Sequence, residues 1–339
     1  MVTVIDKRIL VTGSAGFIGF HLSKLLLAEG FTVHGYDGIT DYYDIDLKKK
    51  RHEILSEFPN FSFTVGMLEN QSLLDTTFDE FNPQVVVHLA AQAGVRYSLE
   101  NPRAYIDSNV VGTFNVMEAS RRLNVSHLLM ASTSSVYGAN DKMPFNECEK
   151  TDTQLTIYAA TKKANENMAH SYAHLHKLPT TMFRFFTVYG PWGRPDMALF
   201  KFTEGMLNHK PIDIYNNGDM YRDFTYVADL VRGIRLLIDA SPKQGQPVSK
   251  NDSLSPAAPY RVVNIGNSKK VKLLDFIDAI ESELGVNAIR NFMPMQTGDV
   301  SKTWADITLL NQLTGFTPQT ELHDGIKNFI DWYRDYYNV

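Results

Sequence analysis

The glycine-rich stretch that decides the fold is TGSAGFIG, residues 12–19, with Gly13, Gly16 and Gly19 at every third position. It follows a short apolar run at residues 8–12 and opens a stretch with helical spacing at residues 18–29. Glycines at a strand-to-helix turn allow a tight bend and let backbone N–H groups approach a pyrophosphate. The helix N-terminus adds a favourable dipole for phosphate. The stretch therefore predicts a dinucleotide site at the first βα turn.

The cofactor is predicted from the residue that ends the second strand. Asp37 follows the apolar residues 32–36. A carboxylate at this position can accept hydrogen bonds from both hydroxyls of the adenosine ribose, and it repels a 2′-phosphate. We therefore expect NAD rather than NADP, with a solvated turn residue as the alternative interpretation of Asp37.

Outward from this turn, short apolar runs alternate with helical patterns through the first half of the chain. This alternation predicts βαβ units and an α/β fold, a Rossmann-type doubly wound parallel sheet with a smaller C-terminal substrate-binding lobe. We expect an NAD-binding domain from residues 1–186, to which residues 224–266 return. The smaller, substrate-binding lobe then comprises 187–223 and 267–339. The predicted strands are 8–12, 32–36, 61–65, 85–89, 128–131 and 181–185, and the longer predicted helices are 104–123 and 156–176.

Composition limits the class of protein. The chain has 339 residues and a formal net charge of −5, so no basic excess is available for nucleic acid. No apolar run approaches the length of a membrane span, and residues 1–10 have no apolar signal core. Cys148 is the single cysteine, which excludes an internal disulfide and a cysteine-based metal site. We expect a cytoplasmic enzyme with no metal and no membrane or nucleic-acid partner.

A pair of residues with helical i, i+4 spacing supplies the candidate catalytic chemistry. Tyr158 and Lys162 fall on one face of the helix predicted at 156–176. A free tyrosine has a pKa near 10, and a neighbouring ammonium or a positive nicotinamide favours the phenolate, which is a usable general base. A hydroxyl residue of the cluster STSS at 132–135, at the end of an earlier strand, can share a substrate hydroxyl with Tyr158. The order of glycine triplet, Asp37, hydroxyl cluster and Tyr-x-x-x-Lys is a much stronger signal than any one of these motifs.

With these motifs in place, the chain resembles the extended short-chain dehydrogenase/reductases over nearly its whole length. The narrower likeness, to members that epimerise UDP-glucuronate at C4, rests on several stretches outside the glycine and Tyr-x-x-x-Lys motifs. These stretches are DYYD at 41–44, AQAGVRYS at 91–98, RFFTVYGP at 184–191, RPDMA at 194–198 and RDFTYV at 222–227.

The resemblance implies an NAD-dependent isomerase that converts UDP-glucuronate to UDP-galacturonate through a transient 4-keto intermediate. Tyr158 takes the proton of the C4 hydroxyl with help from Thr133, and Lys162 holds the nicotinamide ribose. Members of the family pair two helices with a second copy, so a homodimer is expected. The implied cofactor-binding residues are Gly13, Gly16, Phe17, Ile18, Gly19, Asp37, Leu68, Leu89, Ala90, Ala91, Asn109, Tyr158 and Lys162.

Substrate-binding residues follow from the same resemblance. Ser134 and Ser135 stand where the related 4,6-dehydratases carry an Asp-Glu pair, and where decarboxylases typically carry Glu at position 135. Hydroxyls cannot perform that acid–base chemistry, which favours epimerisation, and together with Thr187 they can donate hydrogen bonds to a sugar carboxylate. The remaining expected ligands of the UDP-sugar are Arg96, Arg194, Arg222 and Asp299.

One position departs from the family pattern, because Met67 stands where members commonly have an Asp that contacts adenine. Three alternatives stay open at this point. The first two are a UDP-glucuronate decarboxylase and an epimerase of neutral UDP-hexoses. The third, a non-catalytic NAD-binding scaffold on the same fold, gives no reason for Tyr158, Lys162 and Thr133 to occur together.

Overall fold

A computed structural model of the protein describes residues 5–339. In chain order, the strands are β1 (Ile5–Thr12), β2 (Phe31–Asp37), β3 (Phe61–Val65), β4 (Val85–His88), β5 (His127–Thr133), β6 (Thr180–Phe185), β7 (Thr187–Tyr189), β8 (Pro211–Ile214), β9 (Tyr221–Arg222), β10 (Phe224–Tyr226), β11 (Tyr260–Ile265), β12 (Val271–Lys272), β13 (Ile289–Phe292) and β14 (Lys302–Thr303).

The helices alternate with these strands through the first half of the chain. They are α1 (Phe17–Ala28), α2 (Ile45–Ser56), α3 (Gln71–Phe81), α4 (Tyr97–Glu100), α5 (Pro102–Tyr105), α6 (Thr113–Arg122), α7 (Ile157–His176), α8 (Ala198–Leu207), α9 (Val227–Leu237), α10 (Leu273–Leu284), α11 (Thr308–Thr314) and α12 (Leu322–Tyr337).

The central sheet has seven strands in the order β11-β6-β5-β4-β1-β2-β3, and every pair in it is parallel. Its middle strands β4 and β5 are buried along their whole length, as expected when helices cover both faces. One apolar core lies under α1, α9 and α11, and a second lies under α3, α6 and α7. The predicted Rossmann-type doubly wound sheet is confirmed.

A smaller C-terminal lobe has its own apolar core. Helices α8, α10 and α12 pack around Phe276 and Phe329, and three short sheets join β7 with β10, β8 with β13, and β9 with β12 and β14. Phe276 stacks on Phe224 with ring centroids 4.0 Å apart. The lobe therefore forms a second rigid wall above the carboxyl ends of the sheet strands.

The helix predicted at residues 104–123 differs from the observed one in its middle. α5 continues through a π-helical stretch, Ile106–Gly112, into α6. Within this stretch the side chain of Asn109 is fully buried and bonds to the backbone of Gln92, beyond β4. Such π segments occur often at functional sites, and this one lies beside the end of β4.

No helix within residues 5–339 combines the length and the apolar composition needed to cross a bilayer.

Candidate active site

A single cleft of about 1210 Å³ runs between the carboxyl ends of the sheet strands and the C-terminal lobe. Its position follows from topology, because the strand order reverses between β1 and β4 and their following loops diverge there. All but one of the expected site residues line this cleft. The lining includes Gly13, Gly16, Phe17, Ile18, Gly19, Asp37, Leu68, Leu89, Ala90, Ala91, Arg96, Thr133, Ser134, Ser135, Tyr158, Lys162, Thr187, Arg194, Arg222 and Asp299.

The glycine-rich turn leaves no room for a side chain at Gly13 or Gly19. A Cβ on Gly19 would lie 2.0 Å from the Gly13 carbonyl oxygen, and one on Gly13 would lie 2.8 Å from the Ala90 nitrogen. Gly13 also has φ = 77°, which a bulkier residue rarely adopts. The turn is therefore a backbone cradle open to the cleft at the N-terminus of α1. This geometry fits a dinucleotide pyrophosphate.

Asp37 is fixed at the edge of this cradle. One of its carboxylate oxygens accepts the Ala15 N–H at 3.0 Å, and the other accepts the Ile39 N–H at 2.8 Å. A carboxylate oxygen has room for further donors, so both remain able to accept ribose hydroxyls. The structure thus brings Asp37 and the glycine turn together, as the sequence predicted.

Asn109 is the expected cofactor residue that does not line the cleft. Its amide oxygen accepts the Gln92 N–H at 2.8 Å, while its amide nitrogen donates to Gln92 O and to the Thr161 hydroxyl. All its polar atoms are used in joining the loop after β4 to α7. Asn109 therefore supports the wall of the site from behind.

The wall beside β3 is built by residues 66–69. Met67 lies in the cleft lining and is 41 % exposed, and its carbonyl accepts the Tyr36 hydroxyl. The Leu68 carbonyl accepts the Asn115 amide at 2.9 Å. Position 67 thus offers an apolar thioether where family members commonly offer a carboxylate, while Glu69 places a carboxylate two residues further along the same wall.

The candidate catalytic side chains project from two adjacent elements. Thr133 ends β5, and Tyr158 and Lys162 lie in the first two turns of α7. Thr156 caps that helix by accepting the Ala159 N–H at 3.2 Å, which fixes where the helix begins. Burial lowers the pKa of Lys162 to about 8, and Glu166 partly offsets this effect.

Desolvation dominates the electrostatics of Tyr158 in the protein alone. Burial raises its pKa above the usual 10, and this outweighs the hydrogen bond with Thr133 and the charge of Arg194, which both lower it. A phenolate in this part of the cleft wall loses more hydration than the neighbouring groups return. The lowering of this pKa expected from Lys162 and a bound nicotinamide stays a prediction.

A buried ion pair missed by the sequence reasoning holds these two elements together. Arg184 on β6 donates two parallel hydrogen bonds to Glu166, at 2.9 and 2.8 Å. Glu166 also accepts the hydroxyl of Ser132, the residue before Thr133, at 2.7 Å. The only sequence signal was the spacing of Glu166, one turn beyond Lys162. The pair fixes the end of β5 against α7 and so sets the position of Thr133 relative to Tyr158.

Several hydroxyl groups line the same cleft as Tyr158. Ser134 and Ser135 begin a short 3₁₀ turn, and Thr133 donates to the Ser135 hydroxyl at 3.2 Å. Thr187 begins β7 on the opposite lobe and lies in the same cleft. Residues 134 and 135 therefore present hydroxyl groups, and no carboxyl group, next to Thr133.

The basic residues of the cleft have different partners. Arg194 donates two hydrogen bonds to Asp196, and although burial opposes it, this carboxylate holds the pKa of Arg194 above its usual range. Arg194 is thus one partner of a structural ion pair and also part of the cleft wall. Burial lowers the pKa of Arg222, which forms no direct ion pair within the described chain.

Two expected substrate ligands contact each other across the cleft. Arg96, from the loop after β4, lies 3.7 Å from the carboxylate of Asp299 and stacks over the ring of Tyr215. Asp299 and Tyr215 belong to the C-terminal lobe. This contact joins the two walls of the cleft, a relation that no sequence spacing indicates.

Comparison with known proteins gives a consistent result. A sequence profile of the NAD dependent epimerase/dehydratase family matches residues 9–266. A probable UDP-glucuronate 4-epimerase of Rhizobium meliloti is 52 % identical over 97 % of this chain and 98 % of its own length. UDP-glucuronate 4-epimerase 1 of Arabidopsis thaliana is 45 % identical, over 97 % of this chain and 77 % of its own length.

A crystal structure supports the same assignment. UDP-glucuronic acid 4-epimerase from Bacillus cereus, in complex with UDP-glucuronic acid and NAD, superposes with a TM-score of 0.87 and is 32 % identical. The superposition covers 97 % of this chain and all of that one. The resemblance stated from the motifs is confirmed: the chain belongs to the NAD dependent epimerase/dehydratase family, among the extended short-chain dehydrogenase/reductases.

Proposed function

We propose that this protein is an NAD-dependent 4-epimerase that interconverts UDP-glucuronate and UDP-galacturonate through a 4-keto intermediate. The observation that carries the proposal is the hydroxyl-lined pocket of Ser134, Ser135 and Thr187 beside Thr133 and Tyr158, in one cleft with the glycine cradle. It agrees with the activity that the names of the Rhizobium and Arabidopsis relatives state.

The proposed chemistry begins at Tyr158, which removes the proton of the sugar C4 hydroxyl while Thr133 shares a hydrogen bond with that oxygen. Bound NAD accepts the C4 hydride and returns it, and its positive ring favours the phenolate. Lys162 holds the nicotinamide ribose and adds positive charge near Tyr158. Rotation of the keto sugar presents its other face, and Tyr158 then gives the proton back, which leaves the cofactor unchanged.

Ser134 and Ser135 distinguish this reaction from its relatives. Elimination of water needs an acid and a base next to the reacting carbons, and carboxyl groups at these two positions would supply them. A serine hydroxyl has no pKa near neutrality and cannot perform these proton transfers. The pocket therefore supports oxidation and re-reduction at C4 without elimination.

The intermediate creates a problem of selectivity, because the 4-keto uronic acid is a β-keto acid and can lose CO₂. Decarboxylation requires the breaking C–C bond to align with the ketone π system. Hydroxyls from both walls, Thr187 on β7 and Ser134 and Ser135 after β5, can hold the carboxylate out of that alignment. We expect orientation, rather than charge, to suppress the loss of CO₂.

The remaining subsites are assigned on charge and position. Arg222 is the proposed ligand of the UDP phosphates, since a guanidinium can bind them bidentately. Asp299 is the proposed ligand of the uridine ribose, and Arg96 exchanges its contact with Asp299 for one with substrate. Arg194 supplies positive charge to the sugar carboxylate. The domain boundaries proposed from the sequence place these ligands on both sides of the cleft.

A homodimer is proposed from an apolar surface. Large apolar residues that are 41–66 % exposed lie on the segment from α4 to α6, on α7 and just before α7, where a second copy can cover them. These residues are Leu99, Ile106, Val111, Phe114, Leu155, Ile157 and Leu175.

A cytoplasmic location is proposed because the exposed, free Cys148 suits a reducing compartment.

The deciding experiment is anaerobic incubation with UDP-glucuronate, without and with added NAD, followed by proton NMR of the sugar. Appearance of the C4 epimer without UDP-pentose supports the proposal. UDP-pentose and CO₂ would show a decarboxylase and refute the role given to Ser134 and Ser135. Turnover of UDP-galactose, but not of UDP-glucuronate, would assign a neutral substrate.

A variant tests the proposed hold on the carboxylate. Thr187→Ala should release more CO₂ per epimerisation than the parent enzyme, measured with UDP-glucuronate labelled at the carboxylate carbon. Thr225→Ala, a buried threonine on the neighbouring β10 that does not line the cleft, is the matched control. Equal CO₂ release from the Thr187→Ala variant and the parent would remove Thr187 from this role.

A further inference from the structure

Arg51 on α2 connects the two halves of the site although it does not line the cleft. Its side chain is fully buried. One terminal nitrogen donates to the Ala15 carbonyl at 2.7 Å, inside the glycine-rich turn. The other donates to the Trp192 carbonyl at 2.6 Å and to the Gly193 carbonyl at 3.4 Å. A single guanidinium thus bonds both the cradle for pyrophosphate and the segment that leads to Arg194.

The charge of Arg51 is unusual for a buried position. Within residues 5–339 no carboxylate lies within ion-pair distance of it, and its Nε has no hydrogen-bond partner. A buried guanidinium without a counter-ion is costly, and buried charges are normally paired. The turn that Arg51 supports is expected to hold an anion, the dinucleotide pyrophosphate, and Gly16, which follows Ala15 directly, lines the cleft. The unpaired positive charge of Arg51 can therefore attract the negative charge of a bound pyrophosphate.

The segment that Arg51 holds is constrained. Trp192 has φ = 59°, a left-handed conformation that bulky residues rarely adopt, so surrounding contacts must maintain it. His21 on α1 hydrogen-bonds the Pro191 carbonyl at 2.8 Å, and Phe20 packs on the Trp192 ring. Arg194 follows directly and reaches the cleft. The orientation of the Arg194 side chain thus depends on contacts made by α1 and α2.

We propose that Arg51 is a positioning residue that couples dinucleotide binding to UDP-sugar binding, an inference that rests on the proposed function. A pyrophosphate in the cradle fixes the Ala15 peptide and with it the guanidinium. The guanidinium in turn fixes residues 191–193, so that Arg194 faces the sugar. Linkage is reciprocal, so a bound UDP-sugar must tighten NAD binding by the same factor.

The test uses Tyr158→Phe as the parent, so that ligands bind without turnover. Calorimetry gives the Kd of UDP-glucuronate for NAD-stripped and NAD-saturated protein. We expect NAD to lower this Kd by about tenfold in the parent. In the Arg51→Lys variant we expect a decrease of less than about twofold, because lysine keeps the charge but cannot hydrogen-bond both segments at once. Arg261→Lys is the matched control, because Arg261 is equally buried, pairs with Asp252 and does not line the cleft.

His21→Phe is a second variant that changes no charge near the pyrophosphate. It removes the hydrogen bond to Pro191 and should also reduce the coupling, which separates positioning from a simple charge effect. Coupling that is unchanged by Arg51→Lys, or that falls equally in Arg261→Lys, overturns the proposal. So does an absence of coupling in the parent.

The same set of calorimetric measurements distinguishes a failure of the role proposed for Arg51 from a failure of the proposed substrate. If UDP-glucuronate does not bind even with NAD present, the proposed function fails, and UDP-galactose takes its place in the same cycle. The affinity for NAD alone gives an answer that needs no sugar, since Arg51→Lys should weaken it by about tenfold, within the usual range of such couplings. An unchanged Kd for NAD would contradict the role of Arg51 whatever the substrate is.

Discussion

The buried pair of Glu166 and Arg184 allows a prediction with a definite magnitude. Their side chains are 2 % and 3 % exposed, and they share two hydrogen bonds. Glu166→Gln preserves shape but leaves a guanidinium buried without its anion. Breaking a buried pair in this way costs about 3 kcal/mol or more, a large part of a total stability of about 5–15 kcal/mol. Urea unfolding followed by tryptophan fluorescence measures the loss.

The same variant should slow epimerisation, because Glu166 also holds Ser132 next to Thr133. Glu118→Gln is the control, since Glu118 pairs with Arg121 on the surface. The unfolding midpoint of this variant should hardly differ from that of the parent. Replacing both Glu166 and Arg184 by apolar residues should recover most of the lost stability, because no unpaired charge then remains. A Glu166→Gln variant less than about 1 kcal/mol below the parent would refute the reasoning.

Three further predictions concern other parts of the molecule. Burial raises the pKa of Glu147 to about 7, so the folded protein retains a proton that the unfolded chain releases above pH 4.5, and stability falls as pH rises through this window. Between pH 4.5 and pH 8, the free energy of unfolding of the Glu147→Gln variant should rise by about 3 kcal/mol relative to that of the parent, as measured by urea titrations. A difference that does not change with pH would contradict this. Gly19→Ala should weaken NAD binding by about 10- to 100-fold in calorimetry, the equivalent of a forced backbone shift, since its Cβ would lie 2.0 Å from the Gly13 oxygen; unchanged affinity would show that the turn adjusts freely. Phe114→Glu should produce monomers in analytical ultracentrifugation if the apolar surface joins two copies, and a dimer of unchanged stability would exclude that surface.

Local sequence patterns were sufficient for the sheet and for the cofactor cradle. Strand β3 was predicted with its observed bounds, and the other five predicted strands were placed to within a few residues, because short apolar runs between turns depend on neighbouring residues alone. The helix across residues 104–123 was right in extent and wrong in regularity. Its π-helical stretch follows from the bonds of Asn109 to Gln92, a contact across the fold that helical spacing cannot show.

What the sequence by itself determined is the order of chemical groups along the chain: a glycine turn after β1, Asp37 at the end of β2, Thr133 at the end of β5, and the Tyr158–Lys162 pair on α7. In a parallel sheet these strand ends meet at one edge, so order alone is enough to assemble the site. Only the tertiary structure decided how the assembled groups behave. It partly desolvated Tyr158 so that its pKa rises, and it placed the Arg51 guanidinium between Ala15 and Trp192. Desolvation and long-range hydrogen bonds depend on which segments pack together, and that information is spread over the whole chain rather than held in any one motif.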